Sequence, residues 1–548
     1  MHIVRRLYLP LLIVLCALWA FGPLEGGDDF WAHAALGRIF LETGHIPKST
    51  MFLWSADIPW VFHAYGSGII YATLLNLGGP WLALCLNFAL AVIPLLLIWR
   101  LAKNRAGEVP LTFICLLVPA LWFSSVRWRL RPEGFTVLFL TLTLLFLVNE
   151  KRSRWNYFAI AAMFALWPNL HGGVLIGILT MWVGFIGESV QIFLRSGKVA
   201  ASEAPLAEAE TDAVVVEPAP RRIDWSFGAL AVACSILPLL CNPWGLAYRS
   251  VFGGTAATSS HIAEWRQFWV YPAMTWYVAW GLCLLCAICI LVWSQTRRRP
   301  LGIGAVLLMM CALWISSRRH MWVTSITCMV VLAQGAGILN GQKVYAAVRN
   351  SITFVASRLL RKPTQAGEVP QLDSTMRLIG QIGTLIILLC ACIAAFPDKG
   401  FRAVGKTVPI GMSSFLLTRG PTGRVFNDYE YSAALEWYLK GQRPLYIDLI
   451  NAYPPKIFDD WFPIAHAEPA GIKMLDSLKI DVVALRPVED KKKKDPIYNL
   501  IQYLKTSPQW QHIYKGVDGN VWSRRKLYNA PITFNAGLGV HPQKLPRP

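Results

Sequence analysis

The chain has 548 residues, of which 55% are hydrophobic and only 15% are charged. Soluble domains carry about 25% charged residues, so this composition argues against a soluble enzyme and favours a protein embedded in a bilayer. The formal net charge is +20. Because the basic residues stand in short clusters at the ends of apolar segments, the charge is typical of a membrane protein and argues against nucleic acid as a partner.

The apolar segments predict the fold class, a polytopic α-helical membrane protein with about eleven spans. A spanning helix needs roughly 20 apolar residues. The predicted spans are 7–24, 80–99, 109–125, 133–149, 156–169, 174–194, 226–241, 272–294, 300–315, 321–339 and 378–396. The apolar stretch 60–77 is interrupted by His63, Gly66 and Gly68, so we assign it to an interfacial helix in a long first loop, 25–79.

The distribution of Lys and Arg predicts the orientation of the chain. With the N-terminus in the cytoplasm, 21 of these residues fall on the cytoplasmic side and 9 on the outer side of the membrane part, as the positive-inside rule requires. The loop 196–224 is then cytoplasmic, and its Ala-, Glu- and Pro-rich composition predicts disorder. An odd number of spans places the C-terminal part outside, which divides the chain into a transmembrane domain, 1–396, and an extracytoplasmic domain, 397–548.

The extracytoplasmic part is predicted to be a small α/β domain, because strand-like and helix-like patterns alternate along it. The predicted strands are Arg424–Asn427, Pro444–Asp448 and Asp481–Leu485, and the predicted helices are Tyr431–Leu439 and Ala470–Leu478. The stretch Trp510–Arg524 predicts a hairpin that turns at Asp518-Gly519.

A pair of acidic residues follows the first span. Asp28 and Asp29 stand side by side at the predicted outer surface, where a carboxylate suits a general base or a cation ligand. The alternative is a helix cap for the segment that begins near Phe30. We expect one aspartate to cap the helix and the other to be catalytic.

Basic clusters also lie on the predicted outer side, where positive charge is scarce. The guanidinium fork of arginine matches phosphate oxygens, so we predict a donor-phosphate site formed by Arg127, Arg129, Arg131, Arg318, Arg319 and His320. The alternative is that these residues pair with lipid head groups and with Glu133.

Histidines and an aromatic loop complete the predicted substrate pocket. His171 suits proton transfer or donation to phosphate, and the following Gly172 and Gly173 permit close approach of a ligand. The alternative is a helix break with a locally satisfied histidine. A loop at 242–272 is expected to close over the site. The predicted pocket residues are His33, His63, Asn169, His171, Trp265 and Arg266.

Several short motifs together resemble the GT-C superfamily of bacterial polytopic glycosyltransferases, in its PMT/ArnT-like branch. The motifs are Asp28–His33, Gly37, Gly44, Pro47 and Pro59-Trp60 in the first loop, Arg131-Pro132, Trp167-Pro168-Asn169-Leu170-His171-Gly172-Gly173, and Asn427-Asp428-Tyr429 with Tyr446-Ile447-Asp448 in the tail.

The resemblance implies an enzyme of the bacterial inner membrane. It implies a first span with its N-terminus inside, an outer first loop with two interfacial helices, and a catalytic aspartate in that loop, which maps onto Asp28 or Asp29. The implied partners are a polyprenyl-linked sugar donor, membrane lipids and an extracytoplasmic acceptor. A divalent cation, Mg²⁺ or Mn²⁺, is required by some members only, so cofactor use stays open.

Three functions compete at this point. The first is transfer of a sugar from a lipid-linked donor, which the acidic pair and the outer arginines favour. The second is a transporter or flippase of a lipid-linked glycan, which predicts polar residues at mid-membrane depth; Asn87 is one of few. The third is a non-catalytic membrane assembly protein, which leaves the outer arginines unexplained.

Overall fold

The structure is a computed structural model, and it describes residues 2–125, 128–202, 223–251, 267–270, 276–296, 300–339, 374–397, 400–450, 453–488, 495–527 and 533–535. Among these residues, twelve α-helices belong to the apolar part of the chain. They are α1 His2–Ala20, α2 Phe30–Thr43, α3 Tyr65–Ala106, α4 Leu111–Ser125, α5 Glu133–Val148, α6 Arg154–Leu170, α7 Val174–Ser202, α8 Trp225–Leu240, α9 Trp276–Gln295, α10 Leu301–Ser316, α11 Met321–Gln334 and α12 Ser374–Ala395.

The helices confirm a multi-pass α-helical membrane protein. Within the described ranges, four segments are long and apolar enough to cross a membrane: 65–106, 174–195, 277–295 and 375–395. Shorter apolar helices lie beside them. Large apolar side chains point outward, such as Phe193 and Ile393, which are 77% and 75% exposed, and such surfaces are stable only against lipid or another protein. Each predicted span falls largely on one helix, whereas the number that cross the bilayer stays a prediction.

Helix α3 is kinked, and the kink ends the first loop. Gly79 has φ 66° and ψ −165°, a conformation that glycine adopts without the steric cost of a side chain. Pro80 follows and fits the start of the second part, where a missing N–H costs nothing. The first part of α3 therefore corresponds to the interfacial helix that the sequence predicts at 60–77.

Helix α2 packs against the first part of α3 through two glycines. A Cβ atom at Gly37 would lie 2.0 Å from the carbonyl oxygen of Gly68, and one at Gly68 would lie 2.5 Å from the carbonyl oxygen of His33. The two backbones touch, because neither glycine carries a side chain. This contact fixes the position of His33 on α2.

The C-terminal part contains helices α13 Ile410–Thr418, α14 Ser432–Leu439, α15 Pro455–Ala465, α16 Pro469–Ser477 and α17 Tyr498–Thr506. Its strands are β1 Arg424–Asn427, β2 Ile480–Leu485, β3 Trp510–Gly516, β4 Gly519–Arg524 and β5 Thr533–Asn535. The described residues form a sheet of order β1-β2-β4-β3-β5, parallel at both outer pairs and antiparallel between β2, β4 and β3. The predicted hairpin is confirmed, but its turn lies at Val517-Asp518, one residue earlier than predicted, since Gly516 pairs with Gly519.

The strand predicted at Pro444–Asp448 is wrong. This segment makes one isolated bridge, from Leu445 to Leu53 of the first loop. The side chain of Asn427 satisfies the next backbone groups, because its Oδ1 accepts from the N–H groups of Tyr446 and Ile447 at 2.8 and 3.2 Å. A side chain therefore replaces the neighbouring strand that the apolar pattern implied.

The cytoplasmic loop predicted at 196–224 begins later than expected. Helix α7 continues to Ser202, so the first residues of that loop are helical. Residues 203–222 lie outside the described residues, and the predicted disorder there stays a prediction.

The first loop and the C-terminal part are joined by several contacts. The backbone of Trp54 donates to Leu445 O at 3.0 Å, and Leu445 donates to Phe52 O at 2.7 Å. The guanidinium of Arg38 on α2 donates to Trp437 O at 2.8 Å and lies over the Trp437 ring. The loop that carries the acidic pair is thus anchored on the tail.

Candidate active site

Four chain connections meet at one end of the helix bundle. They follow α1, link α4 to α5, link α6 to α7, and link α10 to α11. Each contributes at least one predicted site residue, and side-chain contacts between the connections hold them together. The structure thus brings together Asp28, Asp29, Arg129, Arg131, His171 and Arg319.

Each aspartate of the acidic pair faces one arginine of the next connection. Asp28 Oδ1 lies 3.3 Å from Arg129 Nη1, and Asp29 Oδ2 lies 3.5 Å from Arg131 Nη1. Two adjacent acids therefore meet two arginines spaced two residues apart. The sequence singles out all four residues, but it does not show this one-to-one pairing.

The two carboxylates differ in their access to solvent. The side chain of Asp28 is 2% exposed and accepts a hydrogen bond from the N–H of Glu25 at 2.7 Å. Burial raises the pKa of Asp28, although Arg129 and the Glu25 N–H oppose that rise. The side chain of Asp29 is 34% exposed. Asp29 is therefore the more accessible carboxylate.

The expected helix cap is not seen. Asp29 occupies the N-cap position of α2, but its side chain forms no capping hydrogen bond with the described residues of that helix. Its carboxylate lies toward Arg131 instead, because charge pairing with an arginine competes with the weaker cap.

Glu133 is a site residue that sequence reasoning treated only as a possible arginine partner. It begins α5, is buried, and accepts from Arg319 Nη2 at 2.9 Å. Its other oxygen lies 3.9 Å from His171 Nε2. One sequence feature could have identified Glu133 as a site residue: it is a carboxylate at the start of an apolar segment, directly after Arg131-Pro132. Such a residue is costly to bury without a partner.

The ring of His171 is held in one orientation by its neighbours. The N–H of Gly173 donates to His171 Nδ1 at 3.1 Å, and Thr136 Oγ1 lies 2.8 Å from the same nitrogen. Since the backbone N–H is only a donor, Nδ1 accepts and the ring proton resides on Nε2. That proton is directed toward Glu133. His171 is thus hydrogen-bonded locally through Nδ1, as the alternative interpretation of the sequence expected. Its Nε2–H group still faces the site as a hydrogen-bond donor.

Two further histidines lie beside His171. The ring of His63 is 6.4 Å from that of His171, and the ring of His33 stacks on Phe62 at 5.8 Å. Burial lowers the pKa of His33 and of His63 to about 4. Both rings are therefore neutral near pH 7 and do not add to the positive charge of the arginines.

Two asparagines fix the backbone around the site. Asn87 on α3 donates to Ala20 O at 2.9 Å and to Trp128 O at 2.6 Å, which joins the last residue of α1 to the connection carrying Arg129. Asn169 donates to Cys241 O at 2.8 Å. The predicted pocket residue Asn169 thus has a structural contact.

The remaining predicted residues divide into two groups. Arg318 and His320 share a short 3-10 turn with Arg319, and His320 Nδ1 lies 3.2 Å from Leu313 O. Arg127, Trp265 and Arg266 lie outside the described residues.

A cleft of about 1350 Å³ opens between the first loop and the tail. Gly26 and Gly27, directly before the acidic pair, form part of its wall, and Arg129 lines both this cleft and a smaller one of about 240 Å³ that also contacts Asp28. Neither aspartate lines the larger cleft, whose volume exceeds the usual 300–1,000 Å³ of a small-molecule site. Its lining ends at Gly27, the residue before the acidic pair.

The described residues do not form a ready metal site. No group of three or more His, Cys, Asp or Glu side chains in this part of the chain is arranged to hold a metal ion. Asp28 and Asp29 each face an arginine, so their charge is already compensated and their arrangement does not fit a divalent cation.

Comparison with solved structures shows the fold. The archaeal oligosaccharyltransferase AglB from Archaeoglobus fulgidus, in complex with an inhibitory peptide and a dolichol-phosphate, matches with a TM-score of 0.50 and 11% identity over 88% of this chain and 69% of AglB. The chain has a GT-C fold. The fold predicted by the resemblance is thereby confirmed.

Other comparisons add no argument on activity. Two structures of ArnT from Cupriavidus metallidurans each match with a TM-score of 0.47 and 14% identity. The structure bound to undecaprenyl phosphate matches over 94% of this chain and 97% of ArnT. The structure in the apo state matches over 93% of this chain and 96% of ArnT. No protein-family model matches the chain, and no curated protein matches its sequence. One fold hosts many functions, so the residues of the site, and not the fold, indicate the function.

Proposed function

We propose that the protein is a membrane glycosyltransferase that moves a sugar from a polyprenyl-phosphate or polyprenyl-diphosphate donor to an extracytoplasmic acceptor. The observation that carries this proposal is the pairing of a partly exposed carboxylate, Asp29, with Arg131 at 3.5 Å. A base and a phosphate-binding cation stand next to each other, as a displacement at a sugar-phosphate bond requires.

The proposed reaction is a direct displacement. Asp29 accepts the proton of the acceptor hydroxyl, whose oxygen forms a bond to the anomeric carbon of the donor sugar. The bond from that carbon to the phosphate oxygen breaks, and the electron pair leaves with the phosphate. Arg131 and Arg319 stabilise the charge that develops on the leaving phosphate. Asp28 is buried, so we assign it the positioning of Arg129 rather than proton transfer.

The fold supports a lipid-linked donor. The AglB structure contains a dolichol-phosphate, which is a polyprenyl phosphate, and an isoprenoid carrier suits a site at one end of an apolar bundle. We propose further that about eleven helices cross the bacterial inner membrane, that the N-terminus is cytoplasmic, and that 1–396 and 397–548 are the transmembrane and extracytoplasmic domains.

The transporter alternative finds less support in the structure. It relies on polar groups at mid-membrane depth, and Asn87 was the residue singled out for that role. Both hydrogen bonds of its amide nitrogen go to backbone carbonyl oxygens, of Ala20 and Trp128. Asn87 therefore joins the end of α1 to the connection carrying Arg129.

The test uses the full-length protein in lipid nanodiscs. The protein is incubated with a panel of radiolabelled polyprenyl-phosphate sugars, and release or transfer of the sugar is measured for wild type, Asp28→Asn and Asp29→Asn. Because general-base catalysis contributes about 10²–10⁴-fold, we expect Asp29→Asn to lower the rate at least about 100-fold. Asp57→Asn changes an exposed acid of the same loop and serves as the control. Absence of turnover with every donor, or equal rates in Asp29→Asn and wild type, contradicts the proposal.

The proposed orientation is tested separately. Alkaline phosphatase is active only outside the cytoplasm, so fusion after Pro548 should give an active enzyme. Insertion of the same reporter into the loop 203–222 should give an inactive one. The opposite pattern would place the candidate site on the cytoplasmic side, away from an extracytoplasmic acceptor.

A further inference from the structure

The large cleft has a wall whose position is fixed by backbone pairing. The segment 402–407 follows the last apolar helix and runs beside the residues that precede the acidic pair. Leu24 N donates to Ala403 O at 3.1 Å, and Gly405 N donates to Leu24 O at 2.8 Å. Thr407 Oγ1 donates to Glu25 Oε2 at 3.0 Å. The side chains of this segment are therefore presented from a well-anchored backbone.

The acidic residues of the cleft are already paired on the side formed by the tail. Glu430 Oε2 lies 2.9 Å from Arg486 Nε, and Asp495 Oδ2 lies 2.7 Å from Arg486 Nη1. The buried Asp428 is a third carboxylate on the same guanidinium, at 3.0 Å. Arg486 and its three carboxylate partners thus form a network with an excess of negative charge, so this side does not attract an anionic ligand.

The opposite wall carries positive charge that is not compensated in this way. Arg402 and Lys406 are exposed in the cleft, and neither forms an ion pair with any of the residues the structure describes. Arg129, which is 63% exposed, lies on the same side and faces Asp28. Three cationic side chains and one carboxylate, that of Glu25, therefore line this part of the cleft, which leaves it with an excess of positive charge.

We infer that the cleft is the acceptor subsite and that it takes an acceptor bearing an anionic group, which Arg402 and Lys406 bind while its hydroxyl reaches Asp29. The inference rests on the proposed function and adds the chemical class of the acceptor. The anionic group is a phosphate or a carboxylate, carried either by a soluble glycan or by a lipid head group.

The cleft also has the size and position that this role needs. Its volume of about 1350 Å³ accommodates more than one sugar ring. Gly26 and Gly27, which precede the acidic pair in the sequence, line the cleft, and Gly27 has no room for a side chain. A Cβ atom at Gly27 would lie 2.9 Å from Glu430 O. The loop and the tail are therefore in backbone contact at the end of the cleft next to Asp28-Asp29.

The experiment measures binding to the full-length protein. Isothermal titration in phosphatidylcholine nanodiscs compares N-acetylglucosamine 1-phosphate with uncharged N-acetylglucosamine. A second arm measures the melting temperature in phosphatidylcholine nanodiscs with and without phosphatidic acid. The test variant is Arg402→Gln/Lys406→Gln. The control is Arg419→Gln/Lys473→Gln, which removes the same charge from two exposed residues outside the cleft.

We expect at least one anionic probe, soluble or lipid-borne, to bind at least tenfold more tightly than its neutral counterpart, or to raise the melting temperature. The test variant should lose this preference, the control should keep it, and added salt should weaken it because the contacts are exposed. Equal behaviour of wild type and the test variant in both arms overturns the inference.

The two proposals fail in different ways. If wild type shows no donor turnover that depends on Asp29, the proposed function is wrong, whatever the probes do. If that turnover is present and no anionic preference depends on Arg402 and Lys406, only the acceptor class is wrong. A melting measurement of each variant without probe identifies any loss of folding, and in that case the single variants Arg402→Gln and Lys406→Gln replace the double one.

Discussion

Arg319 Nη2 lies 2.9 Å from Glu133 Oε1, which joins the turn before α11 to the start of α5. The two residues are 186 positions apart. Glu133 is buried and Arg319 is partly exposed, so the pair is screened less than a surface ion pair. The ion pair therefore links two of the four connections that form the candidate site.

Replacement of Glu133 by glutamine should destabilise the protein. The variant leaves Arg319 with a neutral acceptor in place of a carboxylate. A hydrogen bond between charged groups contributes about 1.5–3 kcal/mol, and because glutamine can still accept and Arg319 is partly exposed, we expect a loss at or below the lower end of that range. The inactivation half-life at fixed temperature in nanodiscs measures it. Glu150→Gln, which removes an exposed partner of Arg105, should change the half-life little. Equal half-lives for the two variants would show that the Glu133 pair contributes nothing.

Stability should fall as the pH drops from about 6.5 toward 4. His33 and His63 have a pKa of about 4 in the folded state and about 6.5 when unfolded. Above pH 6.5 the two rings are neutral in both the folded and the unfolded state. Below pH 6.5 only the unfolded state binds the protons, so the free energy of unfolding decreases until the pH reaches the folded-state pKa. The slope of stability against pH should decrease by about one proton in His33→Gln and in His63→Gln. His45→Gln alters an exposed histidine and should keep the wild-type slope.

Glu436 on α14 should destabilise the folded protein as the pH rises. Its two carboxyl oxygens are buried without a hydrogen-bond partner among the described residues, and burial, with Asp448 nearby, raises its pKa well above the ordinary value. Because the pKa of Glu436 is higher in the folded state, the folded state retains the proton at pH values where the unfolded state, with a pKa of about 4.3, has released it. The free energy of unfolding therefore decreases as the pH rises above about 4.3. Glu436→Gln should therefore melt higher than wild type at pH 8 and similarly at pH 4.5.

The melting profile of Glu468→Gln provides the reference for this prediction, because Glu468 is exposed. A lower melting temperature of Glu436→Gln at pH 8 would indicate that the ionised carboxylate is stabilising, which is the opposite of what its burial implies.

Alanine at Gly37 should separate α2 from α3. The new Cβ would lie 2.0 Å from Gly68 O, so the two helices must move apart, and overpacking of this kind costs about 1–3 kcal/mol or more. His33 lies on the displaced helix, so sugar release should decrease together with the melting temperature. Gly383→Ala on α12 meets nothing within 4 Å, and its higher helix propensity predicts unchanged or slightly increased stability. A fully stable Gly37→Ala protein would contradict the close packing of the two helices.

The sequence predicted the helices better than the contacts between them. Apolar length and breakers such as Gly79-Pro80 are local signals, and they located the spans and the end of the first loop. Pairing between distant residues has no local signal. Residue type and predicted position were enough to single out Asp28 and Asp29 and the arginines of the next connection. The one-to-one pairing between them depends on how α1, α4 and α5 pack, which no local pattern shows.

The missed features have the same origin. The apolar alternation at 444–448 is a strand pattern, but Asn427 bonds its backbone and no sheet forms there. Arg486, which follows the predicted strand Asp481–Leu485, was not singled out from the sequence, yet three carboxylates surround it. Both depend on residues that are far away in the chain.

The anchoring of the first loop on the tail has a consequence for biosynthesis. Ser55 Oγ donates to Tyr446 O across 391 positions, and a ribosome that adds about 5–20 residues per second needs roughly 20–80 s to cover that interval. During this time the loop has left the ribosome while its anchor does not yet exist. Nascent chains halted before residue 424 should therefore expose the loop to added protease, and release of the complete chain should protect it.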